Sequence, residues 1–449
     1  MNESSANGDT GGVARLKIGW FTAFCVLVSN MVGGGIFTTT GFMARDLGDP
    51  TLILSLWLVG GLLAMAAAMS YSELPAALPH AGGDYVYLRH AYGSFTGFLS
   101  GWTSFTVGFG AGIAAAAVSF ASYTLRVIPL AEDNSIASKI IGLTLVWIMT
   151  AIHAAGTVAG GRLQRTLTTT KILAIVFLIF GGFLLGHGSW EHGQHGSANN
   201  PGMGSLIVAF IFVIYTYLGW NVVGYIAGDI ADPQRMIPRI VIGGTAFVAV
   251  LYLLLNLVYL YALPVTILAQ PPILPVAEKA AAALWGPASA EVVSALLCIS
   301  IAGGVSAMVW AGPRVYWAMA VDGVFPSFFK AVTPSTGVPA HAMYVQSVWA
   351  SLLILTGTFE QLVTFSGFIL SAFTALTIGA IIVLRRRRPD LARPYRAPFY
   401  PILPAMVILA LLVVVGASLV QRPFESALGI AVILAGWPFY YVWNHSRQG

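Results

Sequence analysis

Twelve long apolar runs separated by short polar stretches leave this chain few folds to choose from. They lie near residues 18–43, 50–78, 94–125, 138–157, 164–187, 203–230, 238–264, 289–320, 341–358, 360–384, 400–421 and 424–443. Most reach or exceed the roughly 20 residues that an α-helix needs to cross the hydrocarbon of a bilayer. Only 9% of the 449 residues are charged, while 57% are hydrophobic and mean hydropathy is +0.81. A water-soluble domain carries about 25% charged residues. So little charge cannot cover a surface that faces water, so an all-α integral membrane protein of twelve transmembrane helices is expected, with lipid around it. The net charge of +5 then bears on orientation and implies no nucleic acid.

Lys and Arg crowd the cytoplasmic ends of membrane helices. With the N-terminus in the cytoplasm, sixteen of the 22 basic residues fall on that side, including Arg385 to Arg388. Five fall outside, and Lys171 is left within a helix. An error of one helix would scramble this alternation, so both termini are expected in the cytoplasm and the chain in the cytoplasmic membrane. Arg385–Arg388 reads as a topology anchor, with contact to anionic lipid as an addition. Arg15 and Lys17 resemble the start of a signal peptide, but the run that follows is long and lacks a small-residue cleavage site. It reads as a retained first helix behind a polar tail, residues 1–14. Cys25 and Cys298 both lie in apolar runs, so no disulfide framework is expected.

Two runs are interrupted. The first contains Ser29-Asn30-Met31-Val32-Gly33-Gly34-Gly35-Ile36-Phe37, and three consecutive glycines are a poor way to build a helix. The sixth contains Tyr215-Thr216-Tyr217-Leu218-Gly219-Trp220-Asn221, with an Asn at the midplane. Unwound backbone inside a membrane is tolerated only where it lines a protein cavity. Interruptions at corresponding places of two halves point to a transporter binding site. Residues 15–200 and 201–384 would then be inverted repeats of five helices, with 385–449 holding two appended helices and a short cytoplasmic tail. Bare N–H groups of Gly33, Gly34 and Gly35, ahead of a half-helix starting near Ile36, suit a carboxylate. Free carbonyls of Tyr215 to Leu218 suit an ammonium. Together they describe the constant part of an α-amino acid. Close helix packing explains the three glycines equally well by themselves; the matching second break favours a site.

Here the sequence resembles the amino acid–polyamine–organocation superfamily, and within it bacterial members of the L-type amino acid transporter family. The matching stretches are Asn30 to Phe37, Gly82-Gly83-Asp84-Tyr85-Val86-Tyr87, Gly219-Trp220-Asn221 and Asp232 to Arg239. Gly312-Pro313-Arg314-Val315-Tyr316, Asp322-Gly323-Val324-Phe325-Pro326 and Arg388 to Tyr395 complete them, and together they span nearly the whole chain. The resemblance implies a proton-coupled or exchanging amino acid carrier that works by alternating access. It places carboxylate contacts on the Gly33–Ile36 backbone, ammonium contacts on the Tyr215–Leu218 backbone, and an aromatic lid at Tyr215. Leu218 departs from the small or acidic residue that relatives often carry there. The family's animal members pair with a glycoprotein through an outer-loop cysteine; this chain has no cysteine in an outer loop, so the resemblance implies no disulfide-linked subunit.

A charge at membrane depth is costly and by default functional. Lys171 is two turns into the fifth run, so snorkelling to the inner interface is its structural alternative. By resemblance Lys171 fills the place of the cation that sodium-coupled relatives hold between helices 1, 5 and 8. Its ammonium would bond the backbone near Asn30–Gly33 and a hydroxyl such as Ser300 or Ser306. It would carry protons or hold the first helix in register, and either role argues against sodium.

The expected pocket carries no carboxylate. Glu73 sits near the cytoplasmic end of the second run, and Glu291 and Glu360 near outer ends. A neutral substrate is therefore expected, with the small residues Gly108 to Ile113 leaving room for a larger apolar side chain. Asn30, Val32, Asn221, Ser306 and Met308 are further contact candidates. His187, His192 and His195 lie in a polar outer loop whose spacing fixes no metal geometry. Asp229 and Asp232 near Arg235 and Arg239 read as a solvated loop, with a gating salt bridge as the sharper reading. No nucleotide-binding loop or nucleophilic triad is present. His153 is the one candidate for catalysis at depth and has no evident carboxylate partner. The chain reads as a secondary transporter of neutral amino acids without cofactor or metal. A cationic amino acid or polyamine carrier of the same fold is the alternative, followed by a channel or accessory subunit.

Overall fold

The computed structural model describes residues 17–128, 135–193, 201–271, 275–356, 359–421 and 423–445; the polar tail 1–14 lies outside them. In chain order the helices are α1 (Trp20–Met31), α2 (Thr39–Leu47), α3 (Pro50–Tyr71), α4 (Glu73–Ala77), α5 (Asp84–Tyr92), α6 (Ser94–Thr103) and α7 (Gly110–Val127). Next come α8 (Ser135–Ala154), α9 (Thr157–Leu185), α10 (Met203–Tyr217), α11 (Val222–Tyr225), α12 (Pro233–Ala262), α13 (Val265–Leu268) and α14 (Val276–Trp285). Last are α15 (Ala288–Val321), α16 (Ala340–Thr356), α17 (Phe359–Arg387), α18 (Ile402–Gln421) and α19 (Pro423–His445). Among the described residues ten helical stretches are long and apolar enough to cross a membrane, and α1 and α16 are shorter apolar helices. The extended pairing consists of one isolated bridge, Ile18 to Ile230, among the described residues.

Local chemistry sets the helix ends. Asp49 caps α3 by accepting from the Thr51 and Leu52 N–H groups at 2.7 and 3.1 Å, with Pro50 at the first position. Pro233 opens α12 in the same way. Gly48 closes α2 in the left-handed region.

α15 is the centre of the bundle, with 72% of its apolar window buried against neighbours that include α1, α7, α9 and α16. The window in α19 is only 17% buried, so that helix is peripheral and packs on α17 and α6. The Ile18 bridge joins the start of the first segment to the end of the sixth: Ile18 N–H donates to Asp229 O at 2.8 Å, and Ala231 N–H to Ile18 O at 3.1 Å.

One end of the bundle is closed by carboxylate–guanidinium pairs between elements far apart in sequence. Glu73 is buried and accepts from Arg385 at 2.8 and 2.5 Å and from the Ala397 N–H at 2.7 Å, with Arg393 at 3.4 Å. Arg385 also stacks over the Tyr400 ring at 3.8 Å. Part of the expected anchor Arg385–Arg388 is therefore a structural clamp. Asp229 pairs with Arg314 at 2.8 Å, and the Trp310 indole donates to it at 3.3 Å. The solvated loop expected around Asp229 is thus corrected: its partner comes from α15, not from Arg235 or Arg239. Arg89 of α5 pairs with Asp322 beyond α15. On the opposite side, His187 and His192 bond the Leu284 and Tyr261 carbonyls, and His195 lies outside the described residues.

Candidate functional site

The first break begins where α1 ends. Val32 N–H closes the last turn on Val28 O at 2.8 Å, and Gly33 N–H folds back onto Met31 O at 3.0 Å. A tight turn over Gly35–Phe37 follows, and α2 resumes at Thr39. The N–H groups of Gly34, Gly35 and Ile36 have no acceptor among the described residues. Gly35 cannot carry a side chain, because a Cβ there would lie 2.8 Å from the Thr216 hydroxyl. The carbonyls freed on the other side of the break are claimed. Lys171 Nζ donates to Ser29 O at 3.2 Å and to Val32 O at 2.6 Å, and the Tyr252 hydroxyl donates to Met31 O at 2.7 Å.

The second break falls further along than the sequence suggests. α10 stays helical to Tyr217, and the chain unwinds over residues 218–221 around Gly219, whose φ is +109°. The carbonyls of Tyr215 and Thr216 are not free: they accept from Leu218 N–H at 3.1 Å and Tyr252 Oη at 3.3 Å. Packing overrides the weak helix propensity of the Tyr-Thr-Tyr stretch, and the break waits for the one residue that tolerates positive φ. The two breaks touch. Asn30 Nδ2 donates to Gly219 O at 3.0 Å, and a Cβ on Gly219 would lie 2.7 Å from that nitrogen.

Between the breaks lies a cavity of about 250 Å³, closed by residues of the turn Ser104–Phe109 and of α7, α15 and α17. Of the expected residues, Asn30, Gly33, Gly34, Gly35, Tyr215, Thr216, Leu218, Asn221 and Met308 line it. Val32, Ile36 and Tyr217 do not. Val32 offers its carbonyl to Lys171, Ile36 is fully buried, and Tyr217 turns toward α3, where its hydroxyl donates to Trp57 O at 3.1 Å. Hydroxyls of Thr38, Thr39, Ser104, Ser119 and Thr374 were not anticipated. Ser104 reaches the cavity through a wide π-type turn, Ser104–Phe109, that interrupts the third segment. Phe42 and Phe212 stack beside the cavity, their centroids 5.7 Å apart at 13°. No Asp, Glu, Lys, Arg or His is among the described lining residues.

Lys171 is 1% exposed and bonds the first break as the resemblance implies. Its expected hydroxyl partners differ. Ser306 pairs with His153 Nε2 at 2.8 Å, which also gives that histidine a neutral partner. The Ser300 hydroxyl has no partner among the described residues, although Ser300 and Lys171 line the same second cavity of about 280 Å³. Ser29 Oγ and Thr168 Oγ1, 2.7 Å apart, complete the contact between α1 and α9. Cys25 is buried, and Cys298 lies 3.5 Å from the Thr124 hydroxyl.

The family model described as amino acid permease matches residues 18–441. The serine/threonine exchanger SteT of Bacillus subtilis is 30% identical over 439 residues, covering 95% of this chain and 96% of the relative. The large neutral amino acids transporter small subunit 2 of Homo sapiens is 28% identical, covering 99% and 84%. The Asc-type amino acid transporter 1 of Mus musculus is 26% identical, covering 95% and 81%. The chain is a multi-pass membrane protein of the amino acid permease family, within the amino acid–polyamine–organocation superfamily.

Proposed function

We propose that the protein carries neutral amino acids across the cytoplasmic membrane by alternating access, without sodium, by exchange or proton symport. The observation that carries this reading is the pairing of unbonded N–H groups at Gly34, Gly35 and Ile36 with an uncharged cavity wall. These N–H groups, at the turn that leads into α2, suit a carboxylate. The ammonium would face the unwound turn 218–221 and its carbonyls. A cationic side chain would find no counter-ion on the described wall, which disfavours the cationic or polyamine reading. The 250 Å³ volume and the lining hydroxyls accept small polar and larger apolar side chains alike. The names of the relatives span that range, from serine and threonine to large neutral amino acids.

Lys171 supports independence from sodium, since its ammonium already takes the Ser29 and Val32 carbonyls that a cation would need. In this reading twelve helices span the membrane as two inverted five-helix repeats and two appended helices, α18 and α19, with both termini cytoplasmic. The test is uptake of radiolabelled amino acids into proteoliposomes, with and without sodium, internal amino acid and a pH gradient. Neutral amino acids should enter equally with or without sodium. Uptake of only cationic amino acids or polyamines would overturn the neutral assignment, and a strict sodium requirement would overturn the role given to Lys171.

A further inference from the structure

Asp84 opens α5 beneath the cavity, outside the membrane-spanning stretches, and is 5% exposed. Its Oδ2 accepts from the Tyr225 hydroxyl at 2.8 Å and from Asn221 Nδ2 at 3.1 Å. Both donors line the cavity, so the carboxylate is one side chain removed from it. Its Oδ1 is buried and has no partner among the described residues, and neither has the Tyr87 hydroxyl that faces the carboxylate. Three other carboxylates at this end meet a cation: Glu73 meets Arg385, Asp229 meets Arg314 and Asp322 meets Arg89. The groups facing Asp84 are Tyr71 of α3, Tyr87 of α5, Asn221 at the second break and Tyr225 of α11, with Tyr316 of α15 behind Tyr225. None of these carries a positive charge.

We propose that Asp84 is a proton-binding site of this protein, holding a proton in mildly acidic solution while α5 is closed against α11 and releasing it when that contact opens. A proton on Oδ1 lets that oxygen bond a facing Tyr hydroxyl and removes a buried charge that no described cation neutralises. Tyr225 and Asn221 then hold a neutral acid. When α5 parts from α11 the carboxyl meets water, ionises at its ordinary value and gives up the proton. The contact is intimate enough for such a switch. Gly83, at φ +54°, lies where any Cβ would collide with the Tyr225 ring, and Gly224 lies likewise against the Tyr71 hydroxyl. Burial pushes the Asp84 carboxyl up to about 6, against the pull of the Tyr225, Asn221 and Tyr71 hydroxyl and amide donors.

The sign of the linkage follows. A folded-state value raised from 3.8 to about 6 means that the folded protein binds the proton first as pH falls. The group's contribution to stability is therefore lost as pH rises from about 4 to about 6 and is flat above that window. The experiment is thermal unfolding in detergent from pH 4.5 to 7.5 for wild type, Asp84→Asn and Tyr225→Phe. The melting temperature of wild type should rise relative to Asp84→Asn as pH falls through about 6. Tyr225→Phe, which removes a donor to the charged form, should move that midpoint to higher pH. Parallel curves for wild type and Asp84→Asn would overturn the site. Coupling to transport rests on the functional reading above, and uptake into proteoliposomes tests it separately. The pH dependence of wild-type uptake should flatten in Asp84→Asn. A variant with unchanged pH dependence would overturn the coupling. A shifted unfolding curve in a protein that transports nothing would keep the proton site and overturn the transport reading.

Discussion

The two broken segments solve one problem with different means. At the first break the orphaned carbonyls are held by a charge, Lys171, which reaches Ser29 and Val32 from α9. At the second break the carbonyls are held by neutral groups: Tyr252 on Thr216, and Asn30 on Gly219. Beside it, the Asp84 carboxyl accepts from N–H and O–H donors instead. The first break leaves the Gly34 and Gly35 N–H groups open to the cavity and the Ile36 N–H unbonded behind them, so it offers positive potential, and Lys171 adds to it from behind. The second break turns backbone carbonyls of the unwound residues 218–221 toward that side and offers the opposite. The difference gives the cavity a polarity without a charged wall, which suits a zwitterion of fixed orientation.

Tyr252 belongs to both breaks, since its single hydroxyl lies 2.7 Å from Met31 O and 3.3 Å from Thr216 O. One proton cannot serve both carbonyls fully, so α12 links the two breaks through a shared and adjustable contact.

The comparison can be broken most severely at Gly219. Gly219→Ala forces a Cβ into Asn30 and a left-handed conformation that costs about 1–3 kcal/mol. Uptake should fall more than tenfold, and the melting temperature should fall with it. Lys171→Ala comes next. It leaves two buried carbonyls unpaired, at about 1–3 kcal/mol each, partly offset by relief of the buried charge. Uptake in proteoliposomes should drop tenfold or more, whereas Lys171→Arg should retain only part of it, because a planar guanidinium does not fit a site shaped for an ammonium. Asn30→Ala removes one neutral hydrogen bond between the breaks, worth about 1 kcal/mol, so half-saturation should rise roughly fivefold. Ser300→Ala should be the mildest. Its hydroxyl has no described partner, so uptake should stay within about twofold. A large loss there would mean that Ser300 completes the Lys171 site after all.

How much of this was legible in the sequence differs between the same two breaks. Three adjacent glycines are a backbone signal that no packing disguises, and Lys171 is conspicuous because a cation at depth has few uses. The Tyr215–Asn221 stretch has a single glycine and residues of middling helix propensity, so its break was expected three residues early. Tyr217 was read as facing the substrate, but whether it points to the cavity or to Trp57 depends on α3, which local pattern does not reveal. The wide turn at Ser104–Phe109 leaves no composition signature at all. The clamp of Glu73 by Arg385 joins residues 312 apart, and Asp229 with Arg314 joins residues 85 apart; neither pairing follows from periodicity. Asp84 was quoted only as part of a matching stretch, since its lack of a cationic partner becomes visible once the other acids have found theirs.

The central claim is that the cavity between the breaks holds both ends of a neutral α-amino acid. The most direct measurement is competition for uptake of a radiolabelled neutral amino acid by the same compound, its carboxamide and its N-acetyl derivative. The intact amino acid should compete fully, and the two derivatives at least tenfold more weakly, because each removes the charge that one break is built to meet. Equal competition by the carboxamide would show that the N–H groups of Gly34, Gly35 and Ile36 do not read a carboxylate, and would contradict the account.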